Sequence, residues 1–306
     1  MKKQILLLIP LMMLTGCKKD TSKLKIVCPT GAPSIAFYKE NSNPNFETNG
    51  VPSNIVSMMN ENSDKDLVVI DTVSGLKAIK NGAPYKLAVS LTFGNFYIAS
   101  TGKDDDEVMD KDDKIVLFGQ NQTPDLLFHY LYGNEYNDAI EYVTNVQDAA
   151  KCLITGKNEV TTNTIDYVFI AQPVLTNALN KNKNAKKVVD IQEAYKSKSE
   201  GKSLIQASLF VRNKAKKDIV NKYLKGLKVS VEEAVNNPDV ISETLKDKSI
   251  EEMTALYGVA PSLAVTALKD NNGLGLGYKK GKDIKSEIDS FISLFSLENT
   301  NEEIYY

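Results

Sequence analysis

Three short segments carry the hydroxyl, glycine and carboxylate groups from which a binding site could be assembled: Thr30-Gly31-Ala32-Pro33-Ser34, Asp71-Thr72-Val73-Ser74-Gly75 and Gly119-Gln120-Asn121-Gln122-Thr123-Pro124-Asp125. Each follows an apolar, β-rich run and enters a helical pattern. Such turns leave helix N–H groups and hydroxyls facing the crevice beyond the carboxyl ends of the strands. Candidate ligand contacts are therefore Thr30, Gly31, Ala32, Pro33, Ser34, Asp71, Thr72, Ser74, Gly119, Gln120 and Thr123. Phe93 and Tyr97, with Phe37 or Tyr38 behind them, offer faces on which a flat ring could stack while amides and hydroxyls read its edges; Phe37 itself reads as core.

Other chemistry is poorly provided for. The single histidine, His129, lies inside a helical pattern as a surface or half-buried residue, so no nucleophile–base pair is evident. Cys28 and Cys152 sit far apart in apolar surroundings and read as inert buried thiols, and no Cys/His spacing suggests a metal. The acidic run Asp104 to Glu107 lacks the glycine and alternating ligands of a calcium loop and reads as a solvated loop. The only arginine, Arg212, ends a strand beside Asn213-Lys214 and reads as surface, so a guanidinium clamp for an amino-acid carboxylate is not expected. A small-molecule binder without cofactor or metal fits these residues; an enzyme does not.

The elements that must hold these turns alternate short strands with helices, the pattern of an α/β fold with mostly parallel strands. Strands are predicted over 24–28, 67–70, 87–91, 96–100, 115–118, 142–144, 166–170 and 203–211. Helices are predicted from 35, over 73–80, from Thr123 as N-cap to 132, near 147–154 and over 173–180. The Lys- and Ser-rich stretch 196–202 reads as a loop. Beyond Lys216 the chain reads as mostly helical, with apolar stripes at Ile219, Val220, Tyr223, Leu224, Leu227, Val231 and Val235, and at Ile284, Ile288, Phe291, Ile292 and Phe295. This order predicts two lobes, 24–100 with 207–306 and 101–206, joined by two crossings, with a ligand cleft between them.

At the N-terminus a basic Met1-Lys2-Lys3 precedes an apolar run, Ile5 to Leu14, too short to span a bilayer as a stable helix. The run ends in Leu14-Thr15-Gly16-Cys17, which resembles the bacterial lipobox. That resemblance implies cleavage of residues 1–16, lipidation of Cys17, and a polar tether over 17–23 that holds the protein on the extracytoplasmic face of a bacterial cell membrane. Loss of Lys2 and Lys3 moves the formal net charge from −2 to about −4, a mildly acidic balance that argues against nucleic acid as partner.

A series of motifs in order and spacing resembles the SsuA/THI5-like (NMT1-type) periplasmic binding proteins from about residue 24 to 240. It comprises Thr30 to Ser34, Phe93-Gly94-Asn95-Phe96-Tyr97, Phe118-Gly119-Gln120 with Thr123-Pro124-Asp125, Ala171-Gln172-Pro173 and Gln206-Ala207-Ser208-Leu209. The resemblance implies the two-lobed type II periplasmic-binding-protein fold and adds Asn95 and Gln172 to the ligand contacts. It also implies a monomer that delivers a sulfonate, or a flat heterocycle such as a pyrimidine precursor of thiamine, to an ABC permease and ATPase. Two departures bear on the ligand: relatives often carry Glu where this chain has Gln172, and close relatives tend to have Trp in the segment where it has Phe93. Enzymes of pyrimidine or menaquinone-type metabolism share the fold, as could a surface adhesin or sensor. The pyrimidine synthase requires a cysteine-rich motif and a reactive histidine, which these residues do not supply.

Overall fold

The computed structural model describes residues 21–102 and 109–306. The expected signal sequence, Cys17 and the acidic run Asp104 to Glu107 lie outside the described residues. The chain begins with β1 (Ile26–Pro29), α1 (Ala32–Ile35), β2 (Phe46–Asn49), α2 (Pro52–Ser57), β3 (Leu67–Asp71), α3 (Thr72–Lys80) and β4 (Tyr85–Thr92). It continues through β5 (Phe96–Ser100), β6 (Ile115–Phe118), α4 (Thr123–Tyr132), β7 (Ile140–Val143), α5 (Val146–Thr155), β8 (Tyr167–Ala171), α6 (Val174–Lys181), β9 (Lys186–Asp190) and α7 (Ile191–Lys198). It closes with β10 (Ala207–Arg212), α8 (Lys217–Asn236), α9 (Asp239–Leu245), α10 (Ile250–Tyr257), α11 (Pro261–Lys269), β11 (Leu276–Lys280) and α12 (Lys285–Ser293).

Two sheets result, ordered β11-β4-β10-β3-β1-β2 and β7-β6-β8-β5-β9. The strands are mixed rather than mostly parallel. β1 runs parallel to β2 and β3, and β6 to β7 and β8, as strand–helix–strand units require. The strands next to a crossing, β5 and β10, instead enter antiparallel to their neighbours. A second difference concerns the first crossing. β5 pairs with β8 and β9, so the chain changes sheets at residues 93–95 and not at 100. It returns between α7 and β10. α12 makes a further link, because Phe291 meets Tyr195 of α7 edge-on with ring centroids 6.2 Å apart.

Helices cover both faces of the first sheet, and β3 shows how one strand serves two cores. Leu67 and Val69 face the layer of α8, while Val68 and Ile70 face the opposite layer with Val73 and Leu76 of α3. That alternation is the strand period of two, with neither face left to water. The stripe of α8 is buried at Val220, Tyr223, Leu224, Leu227 and Val231, with Ile219 and Val235 partly buried at its edges. Each fully covered aliphatic side chain contributes roughly 1.5–3 kcal/mol. In α12, Ile288, Phe291 and Ile292 are buried likewise.

Five elements are additions to the sequence reading: β2, α2, β9, α7 and β11. α7 runs into the Lys- and Ser-rich stretch expected to be a loop, and it is capped by Asp190, whose Oδ1 accepts from Gln192 N at 2.9 Å and Glu193 N at 3.2 Å. Lys196 and Lys198 then fall in its last turn, where cations complement the helix dipole. The start of α4 is shifted by one. Gln122 holds the cap position without a side-chain bond, Thr123 and Pro124 are the first helical residues, and Asp125 closes the turn by accepting from Asn121 N at 2.7 Å. Thr21 to Lys23, expected to be tether, forms a 3-10 turn beside α8. Among the described residues no helix is long and apolar enough to cross a membrane.

Candidate functional site

A cavity of about 240 Å³ opens where the two sheets face each other. The first body contributes Thr30 to Pro33 after β1, Pro52, Ile70 and Asp71 at the end of β3, Gln206 and Ala207 at β10, and Gly258 after α10. The second contributes Val146 and Gln147 at the start of α5, and Ala171, Gln172, Pro173 and Val174 at the β8–α6 junction. Asn95 stands on the crossing itself. A larger depression of about 600 Å³ beside Lys202, Lys285 and Asp289 lies away from these strand ends, and Lys285 and Asp289 there already pair with each other at 2.6 Å.

The turn after β1 is built by backbone contacts. Gly31, with φ of 100°, donates its N–H to Tyr257 O at 2.8 Å, a conformation that favours glycine. Ser34 is fully buried, its hydroxyl 2.8 Å from Gly31 O and 3.1 Å from Tyr257 O, so it holds the turn rather than facing the cavity. Asp71 caps α3, its Oδ1 accepting from Ser74 N at 2.8 Å. Burial pushes its carboxyl above the usual carboxylate range, against the lowering effect of the Ser74 hydrogen bonds and of Lys77. Thr72 turns inward. Its hydroxyl lies 2.8 Å from that of Ser208, which lies 2.8 Å from that of Ser90, a buried hydroxyl chain inside the sheet.

The crossing and the β8–α6 junction are stitched together by amides. Asn95 Nδ2 donates to Gln172 O at 2.7 Å, and Gln172 N donates to Asn95 O at 2.8 Å. Gln172 Oε1 accepts from Thr176 N at 3.1 Å and from Thr176 Oγ1 at 2.7 Å. These bonds leave Asn95 Oδ1 and Gln172 Nε2 without a partner among the described residues, although the two residues are only 4% and 2% exposed. Gln206 Oε1 is a third buried polar atom in that condition, on the opposite wall. A buried polar group left unpaired costs roughly 1–3 kcal/mol; Thr92 Oγ1 and Arg212 Nε are in the same condition away from the cavity.

Of the residues singled out in the sequence, Thr30, Gly31, Ala32, Pro33, Asp71, Asn95 and Gln172 line this cavity, whereas Ser34, Thr72, Ser74, Phe93, Tyr97, Gly119, Gln120 and Thr123 do not. Phe93 lies on β11: a Cβ placed on Gly277 would stand 2.9 Å from its ring, and Lys279 Nζ sits 4.9 Å from the ring centroid. Tyr97 is buried, with its hydroxyl donating to Gly273 O at 3.4 Å. No aromatic side chain is therefore among the described residues that line the cavity, whose walls mix proline and aliphatic groups with Thr30, Asp71, Asn95, Gln147, Gln172 and Gln206. Phe37 stacks on Phe46 at 5.4 Å as core. Gly119 to Thr123 belong to the turn into α4, on the other side of the second sheet from α5 and α6.

Gln147 and Gln206 were not among the expected contacts. Asn145 caps α5 by accepting from Gln147 N and Asp148 N, both at 3.0 Å, which is the same turn-into-helix signal without a glycine. Gln206 precedes β10 with no local signal of its own. Arg212 lies elsewhere, donating through Nη2 to Glu61 O at 2.9 Å. His129 is half-buried between Asp125 and Asn137. Cys28 and Cys152 are free and buried, and burial pushes the Cys152 thiol up to about 11. Among the described residues that line the cavity, Asp71 is the one ionisable side chain.

No protein-family model matches the chain, and no curated protein does. Solved structures do match. An ABC transporter protein from Parabacteroides distasonis superposes with a TM-score of 0.70 at 17% identity, covering 89% of this chain and 91% of its own. The periplasmic aliphatic sulphonate binding protein SsuA from Escherichia coli gives 0.62 at 12% identity, covering 89% and 86%. A conserved Candida albicans gene product described as having the generic periplasmic binding protein structural fold gives 0.50 at 11% identity, covering 92% of each chain. At such identities the likeness concerns the fold.

Proposed function

Since the chain has the fold of the periplasmic binding proteins, we propose that it is an extracytoplasmic solute-binding lipoprotein that captures a small organic molecule and delivers it to an ABC permease and ATPase. The observation that carries this reading is a single cavity walled by strand-end turns from both sheets, Thr30 to Pro33 and Asp71 on one side and Gln147 with Gln172 and Pro173 on the other. A cavity of about 240 Å³ suits a molecule of metabolite size and not a polymer. Ligands within the proposal are a flat heterocycle, such as a pyrimidine precursor of thiamine, and a sulfonate. The named functions of the structural neighbours, ABC transporter and periplasmic sulphonate binder, support capture and delivery. Lipidation at Cys17 keeps the protein, as a monomer, on the outer face of the membrane beside its permease.

The fold suggests how capture works. Two bodies, 24–92 with 207–306 and 96–198, rotate about the crossings at 93–95 and 199–206 and close on the ligand as a rigid-body motion. Native isolation followed by denaturation and mass spectrometry is the direct test, with a small organic molecule expected in reproducible yield. No copurifying compound, together with no thermal shift across a metabolite panel, overturns the reading. Radiolabelled palmitate tests the anchor: label is expected in the parent and absent from Cys17→Ser.

A further inference from the structure

We propose that the exposed face of α8 docks on the anionic phospholipid headgroups of the membrane to which the protein is anchored. This rests on the reading of Cys17 as a lipid anchor and specifies which side of the protein then lies on the bilayer.

Charge is unevenly spread along the chain. Residues 212–231 hold seven Lys or Arg against the single carboxylate Asp218, in a chain whose formal net charge is −2. Lys214, Lys216, Lys217, Lys222, Lys225 and Lys228 are all exposed. The buried stripe of α8, Val220 to Val231, faces the core, so Lys217, Lys225 and Lys228 fall on the side turned to solvent. Val229, 61% exposed, stands among them as an apolar tip. Helix stability does not account for these lysines. Lys216 holds the cap position without a side-chain bond and Lys217 begins the first turn, where the helix dipole opposes a cation. Lys214 meets Glu61 and Lys228 meets Glu232, each at 3.6 Å, and exposed pairs of this kind hold their partners weakly.

A membrane is the partner because of where the chain enters. Thr21, the first of the described residues, shares a depression with Lys222, Gly226 and Ser230 at the edge of this face. Cys17 is four residues further back, and four extended residues span at most about 14 Å. An acyl anchor at Cys17 therefore keeps α8 within reach of the headgroups, and Lys18 and Lys19, against Asp20, add to the same charge. An acyl anchor joined to a basic patch is the pairing that makes membrane attachment firm. An acidic protein partner would need no such placement beside the anchor. Ala207 opens β10 at the cavity and Arg212 ends it, so Lys214 to Lys217 stand at the pole remote from the cleft. Docked by this face, the protein leaves its cleft clear of the lipid and open to solute.

Vesicles of phosphatidylcholine alone, and of phosphatidylcholine mixed equally with phosphatidylglycerol, test this with the acylated protein inserted in each. Val229→Cys takes a fluorophore on the face, and Val160→Cys, on the second body where Val160 is 89% exposed, provides the reference. Cys28 and Cys152 are buried, which leaves the new thiol as the reactive one. Brominated lipid should quench the label at 229 several-fold more in mixed vesicles than in phosphatidylcholine. In about 1 M salt, where the Debye length is near 3 Å, the excess should vanish. The label at 160 should respond to neither change. The variant Lys216→Gln/Lys217→Gln/Lys225→Gln/Lys228→Gln keeps helix propensity, so its melting temperature should hold while the excess quenching at 229 is lost. Equal quenching at 229 in the two vesicles, or an excess that survives the four substitutions, overturns the surface and leaves the anchor standing. Retention of the parent but not the variant on polyglutamate, with no difference between vesicles, assigns the face to an acidic protein and overturns the lipid proposal likewise. Protein that floats with neither vesicle overturns the anchor, and this surface with it.

Discussion

Substituting Gly275 by Ala should destabilise the protein by about 2–4 kcal/mol, and the figure follows from two contacts. Gly275 has φ of 60°, and a left-handed backbone costs an L-residue with a Cβ roughly 1–2 kcal/mol. Its added Cβ would also fall 1.8 Å from Gly94 O and 2.8 Å from Gly94 C. Those are backbone atoms of the crossing, so no rotamer change relieves the clash. Either the start of β11 or the crossing must move by on the order of 1.5 Å to restore ordinary contact. That movement breaks the bond in which Phe93 N donates to Gly275 O at 2.8 Å, worth about 0.5–1.5 kcal/mol. At about 2–4 °C per kcal/mol for a chain of this class, the melting temperature should fall by roughly 5–15 °C. Thermal melts and urea titrations of Gly275→Ala beside Gly226→Ala provide the measurement. Gly226 lies in α8 with nothing within 4 Å of an added Cβ, so its alanine variant should gain about 0.5–1 kcal/mol. A Gly275→Ala protein that melts within 1–2 °C of the parent would refute the close approach of β11 to the crossing.

Ser208→Ala should cost about 1–3 kcal/mol in urea unfolding, because it strands the buried hydroxyls of both Thr72 and Ser90, and a loss under about 0.3 kcal/mol would show that the hydroxyl chain is dispensable. Phe93→Ala should leave ligand affinity within about twofold while lowering stability, since its ring packs on Gly277; a rise of tenfold or more in dissociation constant would return the ring to the ligand site. Asp71→Asn keeps a good helix cap and removes a carboxyl whose folded pKa is raised by burial. A group so shifted favours the folded state fully below its unfolded pKa and loses that contribution as pH rises through the folded value. The unliganded Asn variant should therefore match the parent near pH 3 and exceed it near pH 7, and the opposite order in thermal melts would sink this account of Asp71.

What the sequence disclosed depended on whether the deciding contact was local. β3 and α8 were legible because their apolar periods are complete within the segment, as Leu67 to Ile70 and Val220 to Val231 show. The turn at Thr30 to Pro33 was legible too, because strand end, glycine and helix start adjoin. The turn at Gly119 to Thr123 has the same composition and yet opens elsewhere. α4 packs with α7 on one face of the second sheet, while α5 and α6 take the other face, where the cavity lies. Nothing within 119–125 states which face its helix will take. Phe93 misled for a similar reason, since its ring is claimed by Gly277, far along the chain in β11, a strand hidden behind a helical reading of the tail. Asn95 and Gln172 entered through resemblance; the amide of Asn95 is held by a bond spanning 77 residues, and that of Gln172 by Thr176, four residues on.

The order β11-β4-β10-β3-β1-β2 also governs how the chain can assemble as it leaves a ribosome or a translocation pore. β10 lies between β3 and β4, yet it follows both by the whole length of the second body. A chain emerging N-terminus first thus presents β3 and β4, both buried apolar strands in the finished protein, with facing edges and no strand to join them. At roughly 5–20 residues per second, the stretch from Thr92 to Arg212 takes on the order of ten seconds to appear. Once Asp190 has emerged, the second sheet has all of its strands, whereas the first still lacks β10 and β11. The later-numbered body is therefore the first able to fold, and the N-terminal one stays open to chaperones, or to threading through a membrane, until its central strand arrives.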